Sequence, residues 1–200
     1  MNIEDIINKS KNAIPYINGW KKMRRAAVIL PLIEINNEIH LLFEVRSKKM
    51  KSQPGDICFP GGKIEENESP KSAALREASE ELNLNNIKII NELDTVIRVD
   101  GTIIHPFLGI VNDIDQLKIN EFEVDHIFYV PISYLLNYKA IEVNSRLIIE
   151  GNDKFPYDLI ENGENYKFRE GTYTSLFYKY KSYVIWGITA DMVKNFLELM

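Results

Sequence analysis

A single cysteine, Cys58, stands in 200 residues, so no disulfide can form within the chain. One lone thiol suits a reducing compartment, and a cytoplasmic location is the expectation. Positive charge is not in excess: 24 Lys and Arg against 29 Asp and Glu leave a net charge of -5. That removes the overall basic footprint of a nucleic-acid binder. No apolar run approaches the roughly 20 residues of a membrane-spanning helix. The first residues carry acid and no apolar signal core. Neither nucleic acid nor membrane is therefore an expected partner. Internal repeats and low-complexity segments are also missing, which excludes a repeat architecture.

What is there is ordinary for one globular domain. Hydrophobic residues make up 45% and charged residues 26%, enough for a sizeable core. Any anionic substrate would need local compensation by a metal, Lys or Arg. The most informative stretch runs from Gly61 to Leu84. Gly61 and Gly62 suit a tight loop or a close backbone approach. Ser69 before Pro70 reads as a helix N-cap followed by its first residue. The helix is predicted to run to about Leu82, with Asn83 as a left-handed end.

On that helix Glu77, Glu80 and Glu81 share one face, next to Arg76. Like charges so placed repel by about a few tenths of a kcal/mol per pair. A hard divalent cation offsets this well, because Mg2+ and Mn2+ prefer carboxylate oxygens. A solvated acidic face explains the three glutamates alone equally well. Gly62, Glu68 and Arg76 at their set distances favour the metal.

Elsewhere the pattern alternates strands and loops. Met1 to about Lys11 places Ile3, Ile6 and Ile7 at helical spacing, a short amphipathic helix for packing on the domain or on a partner chain. Pro15 and Gly19 break the pattern after that helix. Lys21, Lys22, Arg24 and Arg25 form either a solvated rim or a lure for phosphate. Strands are expected over 26–35 and 38–45, then a loop over 46–56 and a short strand at 57–60. Arg46 and Lys51 on that loop are either surface charges for solubility or a grip on a pyrophosphate or further phosphate by charge-assisted hydrogen bonds.

Beyond the helix, 87–99 reads as a strand region and 102–111 as a strand interrupted by Pro106. His105 beside that proline is read as structural. Ile132 to Tyr138 looks helical, and 141–149 and 155–159 look like strands. Tyr173, Tyr178, Tyr180 and Tyr183 either line a substrate wall or face a sheet. Thr189 to Met200 is expected to close the chain as an amphipathic helix.

The Gly61 to Leu84 stretch resembles the signature box of the Nudix hydrolases. Gly62, Glu68, Arg76, Glu77, Glu80, Glu81 and Leu84 fall on it in register. Ala78 fills an aliphatic position, and Asn83 replaces a glycine while keeping left-handed tolerance. Upstream, Arg46, Ser47, Gly55, Phe59, Pro60, Gly61 and Gly62 are similar to the motif of the coenzyme A pyrophosphatases of that family. Phe43, Glu44 and Lys51 depart from the Leu, Thr and Arg usual there, and Lys51 keeps the charge without the planar fork. The segment around Glu123 resembles a family segment in which a glutamate precedes an aromatic and a Val-Pro. Trp186 to Ala190 is similar to a sequence near the end of the coenzyme A enzymes.

The resemblance implies an α+β fold, with a mixed sheet between helices and a catalytic loop-helix-loop. The domain would span 21–200, with 1–20 as a helical extension. It implies hydrolysis of the coenzyme A or acyl-coenzyme A pyrophosphate with Mg2+ or Mn2+, giving 4′-phosphopantetheine, or its acyl form, and adenosine 3′,5′-bisphosphate. Glu77 and Glu81 would be the principal metal ligands, with Glu80 sharing a second ion and the Gly61 carbonyl completing the shell. Arg76 and Glu68 would pair and hold the helix against the loop. Arg76, Glu77, Glu80 and Glu123 are the catalytic candidates, and the base is open among the three glutamates. Glu123 would be a further metal ligand or a base acting on water. Glu121, Asp125 and His126 stand near enough to replace it, and a solvated acidic turn explains the segment equally well. Arg46, Ser47, Lys51, Gly61 and Gly62 are the substrate-binding candidates. The expected partner is a small nucleotide, with a homodimer possible through the N-terminal helix. ADP-ribose or a dinucleoside polyphosphate is the alternative substrate, and a non-catalytic nucleotide-binding module the third reading.

Overall fold

The computed structural model describes residues 2–11, 13–14 and 16–200. Met1 and the break expected at Pro15 lie outside the described residues. The first helix, α1 (Ile3–Ser10), opens on a capping box. Asn2 accepts from the Asp5 N–H, and Asp5 accepts from the Asn2 N–H. None of its residues is buried, so Ile3, Ile6 and Ile7 point to solvent rather than packing on the domain.

Two long strands, β1 (Arg24–Ile35) and β2 (Glu38–Arg46), turn back on each other through Asn36 and Asn37, both at positive φ. Asparagine tolerates that left-handed region better than most side chains. Next come β3 (Ile57–Cys58), β4 (Gly61–Lys63) and the helix α2 (Pro70–Leu82). The cap readings hold: Ser69 Oγ accepts from the Ser72 N–H, and Asn83 sits at φ 55°. The strand region after α2 is two strands, β5 (Ile87–Glu92) and β6 (Val96–Ile97).

The strand β7 (Thr102–Val111) is continuous through Pro106. It runs parallel to β1, with Pro106 opposite Val28, and antiparallel to β5. The Pro106 carbonyl still accepts from the Leu93 N–H, so the proline removes only a donor. The strand β8 (Val124–Pro131) adds to β2, and the short helix α3 (Ile132–Asn137) comes directly after it. These strands make one mixed sheet whose central path is β3-β2-β1-β7-β5.

A smaller sheet comprises β9 (Ile141–Leu147), β10 (Gly171–Tyr180) and β11 (Tyr183–Trp186). The closing helix α4 (Gly187–Leu197) begins two residues before the predicted start. Residues 155–159 are not a strand: Tyr157–Leu159 form a single 3-10 turn. Pro156 explains this, since it cannot donate to a ladder.

Helices cover both faces of the large sheet. Ala27, Ile29 and Phe107 meet Ala73, Ala74 and Ala78 of α2 on one side. Small alanines let the helix sit close to the strands. Leu30 and Phe43 point the other way, to Leu135 of α3 and to Met192, Val193 and Phe196 of α4. Alternation along β1 divides the two cores. Among the described residues, no helix is long and apolar enough to cross a membrane.

Candidate active site

Arg76 on α2 is the hub of the site. Its Nε donates to Glu68 Oε1 at 3.0 Å and its Nη2 to Glu68 Oε2 at 3.1 Å, a two-pronged pairing that uses the planar fork. Nη1 donates to Glu77 Oε1 at 2.9 Å and to Glu80 Oε2 at 3.1 Å. Nη2 also reaches the Lys63 carbonyl at 3.1 Å, which ties the helix to β4. The pairing, helped by the Glu65 N–H, holds Glu68 below its ordinary carboxylate range. Glu68 in turn makes the guanidinium harder to deprotonate.

Glu81 leaves this surface and enters the core. It is buried, and its Oε2 accepts from the Gly61 N–H at 2.8 Å. The N–H of Gly61 thus ties the glycine strand to the helix. Burial first, and the charge of Glu44 second, push the Glu81 carboxyl well above the usual range. Burial also raises Glu77, against the pull of Arg76.

Both glycines are required by close approach. A Cβ on Gly62 would lie 2.5 Å from the Glu77 carboxylate oxygen Oε1. A Cβ on Gly61 would collide with the Ala27 carbonyl and come within 2.6 Å of Val28 Cα. Gly61 also has φ 154°, which strains any other residue.

The loop after β2 is held against the same place. The Ser47 N–H donates to the Glu123 carbonyl at 2.8 Å, and Ser47 Oγ donates to the Glu121 carbonyl at 3.2 Å. Ser47 is buried, so its hydroxyl joins two chain segments rather than facing outward. Arg46 is half-buried and lines a cavity with Gly61, Cys58 and Phe59. Lys51 is exposed on the loop and makes no ion pair among the described residues.

Glu123 is half-buried at the entry to β8, and its negative charge acts on Glu44, Glu77 and Glu81. It belongs to the same acidic group. Its neighbours do not join it in that way: Asp125 pairs with His126 at 2.6 Å, and His126 Nε2 lies 3.1 Å from the Tyr183 hydroxyl. His105 Nδ1 lies 2.8 Å from Glu92 Oε1, inside the sheet. Of the tyrosines, Tyr183 stacks on Phe128 with ring centres 3.8 Å apart, Tyr178 is core, and Tyr173 borders the cavity.

One acidic side chain escaped the sequence reading as a site residue. Glu44 lies on the face of β2 that also carries Leu42, which packs with Leu82 of α2. It is fully buried. Its Oε1 accepts from the Cys58 thiol at 3.2 Å, and its Oε2 has no protein partner. Burial raises its carboxyl above the ordinary range. The available signal was a lone acid inside an apolar strand, between Phe43 and Val45.

No three His, Cys, Asp or Glu side chains are drawn into a closed metal cage among the described residues. The donors nevertheless fit a hard divalent cation. Glu77, Glu80 and Glu81 offer carboxylate oxygens alone, over a glycine cradle beneath Glu77, and the unpartnered buried Oε2 of Glu44 adds its charge to Glu81.

The NUDIX domain family model matches residues 22–150. The mouse peroxisomal coenzyme A diphosphatase NUDT7 is 32% identical over 147 residues. That covers 70% of this chain but 62% of the mouse protein, under two thirds of its length. A Nudix hydrolase, NudL, of Citrobacter koseri is 26% identical over 199 residues, covering 98% of this chain and 93% of that protein. Among solved structures, a MutT/nudix family protein from Enterococcus faecalis aligns over 100% of this chain and 70% of its own. The TM-score is 0.54 at 13% identity, a likeness of fold.

Proposed function

Because this chain belongs to the Nudix hydrolase family, we propose that it hydrolyses the pyrophosphate of coenzyme A or its acyl forms with a divalent cation. The products are 4′-phosphopantetheine, or its acyl form, and adenosine 3′,5′-bisphosphate. The observation that carries this reading is the junction of the two motif regions. Ser47 is bonded to the 121–123 turn, and Gly61 to Glu81, so the Arg46 loop borders the acidic helix face. The likeness to a mouse protein named as a coenzyme A diphosphatase supports the choice of substrate. A cytoplasmic location goes with the proposal, although that relative is named peroxisomal.

Glu77 and Glu81 would hold Mg2+ or Mn2+, with Glu80 and the Gly61 backbone beside them. A bound divalent cation would neutralise phosphate charge and acidify water. Arg76 fixes the orientation of Glu77 and Glu80 by hydrogen bonds to both. Arg46 and Lys51 grip the phosphates from the loop. Glu123, which has no bond to Arg76, takes the proton from water. The water oxygen bonds to one phosphorus as the bond from that phosphorus to the bridging oxygen breaks. The bridging oxygen leaves with the other phosphate.

A panel of coenzyme A, acyl-coenzyme A, ADP-ribose and a dinucleoside polyphosphate tests this, with products identified by mass. The highest kcat/KM is expected on a coenzyme A compound. A preference for ADP-ribose or the dinucleotide would move the enzyme to that substrate. Tight nucleotide binding without any hydrolysis would make it a binding module.

A further inference from the structure

We propose that the cavity behind Gly61 is the site for the base and outer phosphate of a nucleotide, with Trp186, Tyr173 and Arg98 as its specificity residues. This rests on the pyrophosphatase reading and extends it to the far end of the substrate. The cavity holds about 230 Å3. That is below the roughly 300–1,000 Å3 of a site for a whole drug-sized ligand, so it takes one part of a larger molecule. It opens beside Gly61, whose N–H holds Glu81, so what enters it is attached to what is cleaved.

Its walls combine aromatic faces and two guanidinium groups with one carboxylate, Asp56, a net positive lining for a planar, anionic group. Trp186 is 49% exposed and Tyr173 38%, a large aromatic area for side chains lining a hollow. Trp186 is backed by Phe177, with ring planes 8° apart and centres 5.9 Å apart. One face of that indole is therefore supported by protein. Phe177 and Tyr173 lie on the same side of β10 by the alternation of a strand, and Trp186 is the cross-strand partner of Phe177. Such a platform stacks a base.

Two guanidinium groups line the same cavity, Arg46 and Arg98. Arg46 lies on the loop already assigned to the bridging phosphates. Arg98 comes from a separate segment, directly after β6. Its Nε stands 3.3 Å from Asp100 Oδ2, and its terminal nitrogens make no side-chain hydrogen bond among the described residues. They are donors for a second phosphate. A pantetheine arm would offer the two guanidinium groups only neutral acceptors, its amide carbonyls and hydroxyl, so the phosphate-bearing base end of the molecule is the better occupant.

Two experiments test the assignment. The first compares coenzyme A with 3′-dephospho-coenzyme A in the wild type, Arg98→Ala and Arg98→Lys. The ratio of the two kcat/KM values should fall about tenfold or more in the alanine variant and recover in part with lysine. An unchanged ratio would overturn the role of Arg98. The second measures quenching of Trp186 emission in a Trp20→Phe background, which needs no turnover and no Arg98 variant. Adenosine 3′,5′-bisphosphate should quench at lower concentration than 5′-AMP, and 4′-phosphopantetheine should quench little. Equal or stronger quenching by 4′-phosphopantetheine would give the cavity to the pantetheine arm and overturn the proposal. If coenzyme A is not hydrolysed at all, the pyrophosphatase reading falls, while the quenching still decides what the cavity holds.

Discussion

Glu44 is the residue whose chemistry most exceeds its surroundings. A buried carboxyl with one weak thiol donor and a bare second oxygen favours its neutral form. Glu81 is raised as well, by burial and then by Glu44. A carboxyl whose folded pKa lies above its unfolded value costs stability as it ionises. The metal-free protein should therefore lose stability as pH rises from the ordinary carboxylate value of about 4.3 upward. Glu44→Gln removes one charge at nearly constant shape. In chelator at pH 8 it should gain on the order of 1 kcal/mol, roughly 2–4 °C in Tm for a chain of this size. At pH 5 the gain should shrink. Thermal melts of both proteins at the two pH values check this, and a gain independent of pH would contradict it.

The element that positions the site, α2 with the glycine strand before it, was also the most legible one. Its cap, its proline and its Asn83 terminus act through neighbours in the chain, so local chemistry settles its bounds. Glu68 lies before the N-cap, outside the helix, so its pairing with Arg76 came from the family resemblance and not from helical spacing. Glu44 was less legible, because its importance comes from Cys58 and Glu81, which only folding brings near. Arg98 carried no local signal either, as the cavity it lines is closed by Trp186 from a distant strand. Residues 155–159 misled because apolar side chains there imitate a strand while Pro156 forbids the ladder. The two glycines separate packing from function at this scale. Gly62→Ala should displace the Glu77 carboxylate, a movable group, and lower kcat/KM about tenfold or more with little change in Tm. Gly61→Ala meets backbone at a strained φ and should lower Tm by several degrees. Melts and kinetics on the pair test it: equal Tm losses would refute the distinction.

At the scale of the molecule, distant parts of the chain converge on one site. The loop after β2 brings Arg46, α2 brings the glutamates, and the 121–123 turn brings Glu123. The C-terminal part closes the cavity, where Thr189 Oγ1 of α4 donates to the Ile57 carbonyl of β3 at 2.9 Å. Residues after 150 lie outside the family match yet supply Tyr173 and Trp186. A shared diphosphate chemistry and a pocket built partly outside the matched residues would thus occupy adjoining parts of one surface. All of it depends on the α2 carboxylates holding a divalent ion where the diphosphate is cut. The direct measurement is coenzyme A turnover in saturating Mg2+ by the wild type and Glu81→Gln, with folding verified by circular dichroism. A loss of about a hundredfold or more in kcat/KM with an intact fold is predicted, and wild-type turnover by the folded variant would contradict the account.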